Sequence, residues 1–125
     1  MNWTAIGAVL MALAVSMGAF GAHALKERLD EYSLSVYEKA VFYHFIHALG
    51  ILLVALLART GAISDSAEAR AGWLFAIGIL LFSGSLYALA ISGTRILGAI
   101  TPFGGVAFIA GWLVLAYAAF RAQRL

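Results

Sequence analysis

The sequence has no cysteine, a single proline, and only six acidic and eight basic residues among its 125 positions. Without cysteine, the chain can form no disulfide, thiolate metal site, iron–sulfur cluster or cysteine nucleophile. Charged residues make up 11% of the chain, whereas soluble domains contain about 25%. The few Lys and Arg residues are scattered, so a nucleic-acid partner is not expected. Polar residues are too scarce to cover a soluble globule.

Hydrophobic residues account for 64% of the sequence, and its mean hydropathy is +0.98. They fall into four long stretches, and a helix of about 20 apolar residues is long enough to cross a hydrocarbon core of roughly 30 Å. The sequence therefore predicts one all-α transmembrane domain over residues 1–125, folded as an antiparallel four-helix bundle. The predicted spans cover residues 4–25, 36–58, 71–92 and 102–120, and residues 26–35 form an interfacial connector.

The ends of the spans carry recognisable signals. Ser35 followed by Glu38 predicts a capping box that opens span two, and Gly61 is a natural C-terminal stop. Ser64 or Ser66 can cap span three. Thr101-Pro102 is typical of an N-cap followed by proline at the first helical position, which leaves residues 96–100 as a short interfacial or slightly re-entrant stretch.

The first apolar stretch has a competing interpretation. Ala22-His23-Ala24 imitates the cleavage site of a signal peptide. However, Met1-Asn2-Trp3 carries no basic side chain, and the apolar run is longer than the usual signal-peptide core. These features favour retention of the stretch as a transmembrane helix.

Four spans place both termini on one side of the membrane. Lys and Arg divide evenly between the sides, so the excess of basic residues on cytoplasmic loops gives no orientation. Span one has basic residues only at its C-terminal flank, which favours external termini. The basic residues on one side are Arg59, Arg70, Arg121 and Arg124; those on the other are Lys26, Arg28, Lys39 and Arg95.

Rows of small residues predict close helix packing, because lipid tails are as apolar as leucine and helices associate through tight contacts. The favoured interpretation is packing within one bundle, and the alternative is self-association. Trp3 and Trp73 are expected to be interfacial anchors, and Trp112 is expected to pack in the bundle or against a partner. The rows are Ala14, Gly18 and Ala22; Gly84, Ala88 and Ser92; and Ala107 with Gly111.

The predicted spans contain no Asp or Glu except Glu38 at the start of span two, which weakens any pump or hydrolase function. The three histidines, His23, His44 and His47, all lie in spans one and two. A tight first loop would allow the three imidazoles to approach one another. They could then bind a metal ion, a haem or a quinone. The favoured alternative is that each imidazole is neutral, bonds a neighbouring helix and stabilises the hairpin, so no cofactor is predicted.

Other polar residues extend this candidate cluster. Tyr43 lies beside His44, and Ser83 and Tyr87 share one face of span three. Serine hydrolase chemistry is not expected, because a nucleophilic serine needs a base and an orienting carboxylate. The candidate ligand-binding or interhelical cluster is His23, His44, His47, Tyr43, Ser83, Tyr87 and Thr101, and no catalytic residue is predicted.

Several local motifs occur in order along the chain. They are Gly18-Ala19-Phe20-Gly21-Ala22-His23-Ala24-Leu25, Tyr43-His44, His47-Ala48-Leu49-Gly50, Phe82-Ser83-Gly84-Ser85-Leu86-Tyr87, Leu97-Gly98-Ala99-Ile100-Thr101-Pro102, Gly104-Gly105 and Gly111-Trp112. In these motifs the chain resembles the DUF423 family of small bacterial inner-membrane proteins, which is related to a eukaryotic TMEM-type protein of mitochondria. The resemblance implies a four-span fold and no particular function. Its motif falls on His23, His44, His47, Ser83, Tyr87, Thr101 and Pro102.

The expected location is the bacterial inner membrane, and the expected partners are lipid and another membrane protein or a second copy. The leading functional hypothesis is a non-enzymatic accessory or assembly factor, or a small subunit of a membrane complex. One alternative is a haem-, metal- or quinone-binding protein that uses the histidines. Another is a small-solute transporter, which four spans could form only as an oligomer.

Overall fold

A computed structural model describes residues 1–123 of the chain, and this part contains four long apolar helices. Span one is Trp3–Leu25, span two is Glu31–Arg59 and span three is Asp65–Ser92. Span four is Thr101–Ala122, preceded by a short 3-10 helix over Arg95–Ala99. Short connections between these helices produce the antiparallel transmembrane bundle that the sequence predicts.

Span two begins at Glu31, earlier than the predicted residue 36. Its N-cap is Asp30, whose carboxylate accepts a hydrogen bond of 2.7 Å from the Ser33 backbone N–H. That bond holds the pKa of Asp30 below its ordinary value. Ser35 does not form the predicted capping box, because its hydroxyl donates to the Tyr32 carbonyl. A carboxylate at the positive end of the helix is favoured over a second cap one turn later.

Span three also begins earlier, at Asp65 instead of residue 71. The Ser64 side chain caps it by accepting a bond of 3.1 Å from the Ala67 backbone N–H. Glycines follow spans two and three with left-handed backbones, at φ 78° for Gly61 and 72° for Gly93. The prediction of a glycine stop at Gly61 is confirmed.

Span four begins one residue before the predicted start, and Thr101 is not its cap. The N-cap is Ile100, and Pro102 lies in the first turn. The Thr101 hydroxyl instead lies 2.6 Å from the Ser85 hydroxyl of span three. The predicted interfacial stretch before it is the exposed 3-10 helix.

Two spans contain a wide π-helical turn, Gly21–Leu25 in span one and Ile79–Ser83 in span three. Such a turn inserts an extra residue and rotates the following helix relative to the preceding part. Regular helix periodicity did not predict either turn.

Spans two and three form the centre of the bundle. Over an apolar stretch of 18 residues in each, 44% of residues are buried, against 17% in span one and 22% in the segment containing span four. Span one packs chiefly on span two, and span four packs chiefly on span three. Spans one and four therefore present most of their surface to the surroundings.

Glycines allow the closest helix approaches. A Cβ at Gly104 would lie 2.3 Å from the Phe82 backbone nitrogen, so spans three and four meet backbone to backbone there. Gly111, one of the predicted packing residues, contacts the Phe75 ring, which is fully buried.

The other small-residue rows pack only in part. Ala14 is buried and Gly18 contacts Val41 of span two, but Ala22 is exposed. On span three, Gly84 has open space beside it apart from its own turn, and Ala88 is exposed. Residues four apart differ by about 40° around an α-helix, so such a row drifts away from a helix contact along its length.

The three tryptophans lie in different surroundings. Trp3 is not an interfacial anchor, because its side chain is 3% exposed and packs over Gly72. Its ring meets Trp73 edge to face at 5.5 Å, and Trp73 is half exposed. Trp112 packs within the bundle against Phe75.

Candidate functional site

His47 lies at the centre of an aromatic group between spans two, three and four. Its Nδ1 lies 2.8 Å from the Tyr43 carbonyl, and its Nε2 lies 3.0 Å from the indole nitrogen of Trp112. A carbonyl only accepts and an indole N–H only donates, so Nδ1 carries the proton and Nε2 accepts. His47 is therefore a neutral imidazole with both nitrogens bonded. Its ring also stacks on Phe108, with centroids 3.5 Å apart.

His44 lies one turn earlier on span two and bonds span three. Its Nδ1 is 2.8 Å from the Tyr87 hydroxyl, and its side chain is 4% exposed. Within residues 1–123, its Nε2 is the buried side-chain polar atom without a hydrogen-bond partner. The ring also lies close to the Leu10 backbone of span one, although no hydrogen bond of good geometry forms there.

A second tyrosine extends this contact to span one. The Tyr37 hydroxyl donates to the Met17 carbonyl of span one. The Tyr37 ring is 1% exposed and lies 5.3 Å from the Tyr87 ring. Gly21 makes room for it, because a Cβ there would lie 2.3 Å from the Tyr37 ring. Spans one, two and three therefore meet at one buried cluster of two tyrosines and His44.

Two serines of span three connect it to its neighbours. Ser83 is fully buried at the end of the π-helical turn, and its hydroxyl donates to the Ala40 carbonyl of span two at 2.8 Å. Ser85 contacts the Thr101 hydroxyl of span four. A hydroxyl that donates to a carbonyl and has no neighbouring base is not an activated nucleophile.

His23 is separated from the other two histidines. It is exposed in the π-helical turn that ends span one. Gly21 in the same turn contacts the Tyr37 ring of span two, whereas the His23 side chain faces the surroundings. Residues 1–123 contain no group of three His, Asp or Glu side chains arranged for a metal ion. The three imidazoles do not approach one another, contrary to the expectation.

The chemistry available to these histidines is restricted. A metal ion or haem iron binds the lone pair of an imidazole nitrogen, and Trp112 already occupies that lone pair in His47. The Nε2 of His44 is buried, and neither of the two cavities described in this structure is lined by His44 or His47. The arrangement is suited to bonding helices together.

Comparison with known proteins identifies the family. The model of a family described as "Protein of unknown function (DUF423)" matches residues 17–105. The chain belongs to the DUF423 family. The resemblance stated from the sequence is confirmed, and the matched range includes His44, His47, Ser83, Tyr87 and Thr101.

Members of the family in other bacteria match nearly the whole chain. A UPF0382 membrane protein of Staphylococcus epidermidis is 49% identical over 116 residues, covering 93% of each chain. The UPF0382 membrane protein YwdK of Bacillus subtilis is 48% identical, covering 93% of this chain and 94% of its own. No solved structure matches. This family member is a multi-pass protein of the bacterial inner (plasma) membrane.

Sequence reasoning missed part of the site. It assigned Trp112 to the bundle without recognising it as the partner of His47, and it did not pair Ser85 with Thr101. The motif Phe82-Ser83-Gly84-Ser85 indicated polar groups on span three, but partner choice depends on how spans slide and rotate against each other.

Proposed function

We propose that this protein is a non-enzymatic subunit or assembly factor that works by side-to-side association with another membrane protein. The observation that carries this proposal is a small-residue face on the outside of span one. Its members are Ala5, Ala8, Ala12, Ser16 and Ala19, all of them exposed. Successive members lie three or four residues apart, which keeps them on one side of the helix.

Span four shows the contrasting pattern. Its outward side carries large side chains that are each 59–70% exposed, as expected for a face that meets acyl chains. They are Phe103, Val106, Ile109, Leu113, Tyr117 and Phe120.

The difference between the two faces supports a protein contact at span one. Lipid is as apolar as leucine, so burial against a neighbouring helix gains little from hydrophobicity and depends on close packing. Small residues allow helix axes to approach, and the exposed Val9 and Val15 border the small-residue face. This shape fits a partner helix.

The buried polar groups support a non-enzymatic role. The serine hydroxyls and both nitrogens of His47 are used in hydrogen bonds. These bonds hold the spans together. The outer surface is therefore the part of the molecule that is available to bind a partner.

The test compares leucine substitutions on two outer faces. Ala12→Leu fills the small-residue face, whereas Ala116→Leu adds the same bulk to an exposed position of span four. We expect the wild type, tagged at its native locus and extracted in mild detergent, to migrate as a complex larger than the monomer. Ala12→Leu should release the monomer and Ala116→Leu should leave the complex intact. A wild type that is only monomeric after crosslinking in intact membranes would refute the proposal.

A second candidate function is ligand binding at His44, because Nε2 of this residue is buried without a partner. With the Tyr87 hydroxyl donating to Nδ1, Nε2 carries a proton and can donate to a quinone carbonyl. With Nδ1–H donating to that hydroxyl, Nε2 keeps a lone pair that can bind haem iron or a metal ion. This function predicts that the purified protein carries one equivalent of quinone, haem or metal, which His44→Phe removes. Lipid extraction with mass spectrometry, an absorption spectrum and elemental analysis measure this directly. Protein that carries none of the three would contradict it.

A further inference from the structure

We propose that a groove between the beginning of span three and the end of span four binds one anionic phospholipid. The groove has a volume of about 730 Å³ and lies at the end of the bundle where span two also terminates. Its apolar wall includes Ile63, Ala67, Leu113, Val114 and Ala118.

Two arginines line this groove and give it a positive charge. They are Arg70 of span three and Arg121 of span four, and both are exposed. The acidic residues in the first turn of span three, Asp65 and Glu68, are not among the lining residues. A guanidinium binds phosphate oxygens through paired N–H donors. The groove thus favours a headgroup with net negative charge over one that also carries a cation.

Local contacts restrain both arginines. The Arg70 Nε donates to the Ser66 carbonyl at 3.3 Å. The Arg121 guanidinium carbon lies 5.8 Å from the centre of the Tyr117 ring, and Tyr117 also lines the groove. These contacts hold the positive charges beside the cavity.

The depth of the groove fits a lipid. From Arg121 to Leu113 the helix rises by about 12 Å at 1.5 Å per residue, which is most of the way through one leaflet's hydrocarbon layer of roughly 15 Å. The arginines lie near the end of the bundle, at the level of headgroups, and the apolar wall extends toward the membrane centre. A phosphate with an attached acyl chain uses both parts, whereas a free phosphate uses only the first.

The test measures lipid retention by the detergent-solubilised full chain. The protein is titrated with phosphatidylglycerol or phosphatidylcholine of identical acyl chains, and native mass spectrometry reports the fraction carrying one lipid. We expect phosphatidylglycerol to bind on the order of thirtyfold more tightly, which corresponds to about 2 kcal/mol. The double variant Arg70→Gln/Arg121→Gln should lose this preference. The control Arg28→Gln/Lys39→Gln, which removes two charges from the other end, should keep it.

Two further arms separate the remaining explanations. Ala118→Phe fills the apolar wall while retaining both arginines, so it should weaken lipid binding even if the double arginine variant fails to fold. Inorganic phosphate should not displace phosphatidylglycerol. Equal binding of the two lipids by the wild type, unchanged binding by Ala118→Phe, or displacement by phosphate would each overturn the proposal.

Discussion

At the scale of single residues, the packing of the bundle depends on which histidine nitrogen carries a proton and on where glycines lack a Cβ. His47 bonds span two to span four, because Nδ1–H donates to the Tyr43 carbonyl of its own helix and leaves Nε2 to accept from the Trp112 indole. The glycines allow close packing because they have no Cβ. Gly104 and Gly105 are neighbours on span four, yet a Cβ at Gly104 would strike the Phe82 backbone, whereas one at Gly105 would make ordinary contacts of 3.8 Å with the Phe82 ring.

This difference predicts opposite effects of two alanine substitutions. Gly104→Ala should destabilise the protein, because overpacking costs about 1–3 kcal/mol and the gain in helix propensity is at most about 1 kcal/mol. Gly105→Ala should be neutral or stabilising by up to about 1 kcal/mol. Unfolding in mixed detergent micelles, followed by tryptophan fluorescence, measures both. Equal effects of the two substitutions would show that spans three and four are not in backbone contact at this position.

At the scale of helices, the existence of each span followed from local composition, and its ends depended on competition between caps. Span two is capped by Asp30 and starts at Glu31, because the Asp30 carboxylate reaches the Ser33 N–H, although Ser35 and Glu38 form an acceptable capping box in isolation. The π-helical turns had no local signal. They occur where span one accommodates the Tyr37 ring and where Ser83 reaches the Ala40 carbonyl, so they depend on neighbouring helices.

The direction in which each helix face points explains why some candidate site residues came together and others did not. His44, Ser83 and Tyr87 lie at the contact of spans two and three. His44 and Tyr87 are hydrogen-bonded to each other, and Ser83 donates to the Ala40 carbonyl of span two. His23 has the same chemistry but lies on the outer side of span one. Sequence proximity to a loop does not determine which way a helix face points.

At the scale of the whole molecule, four spans in an up-and-down order place the two termini and the second loop on one side of the membrane. Spans two and three form the centre, and the outer faces of spans one and four differ in side-chain size. The proposed partner contact and the proposed lipid groove therefore use different parts of the surface.

The topology predicts a labelling pattern, and the natural absence of cysteine makes it simple to measure. Asn2→Cys and Thr60→Cys should react with a membrane-impermeant maleimide from one side. Glu27→Cys and Thr94→Cys should react only from the other side. Labelling of intact and inverted vesicles distinguishes the two groups. A shared pattern for Asn2→Cys and Glu27→Cys would mean that span one does not cross the bilayer.

By itself, the sequence determined that the protein lies in a lipid bilayer, how many spans it has, that it has no thiol chemistry and to which family it belongs. The first three properties follow from composition and from hydrophobic runs within each helix, which are local, and the family follows from the resemblance of the motifs. The tertiary structure alone decided that Trp112 bonds His47, that Ser85 meets Thr101, and that His23 stays outside the cluster. Those outcomes depend on the rotation and sliding of helices against one another, which are set by glycine contacts and bulky rings on separate spans.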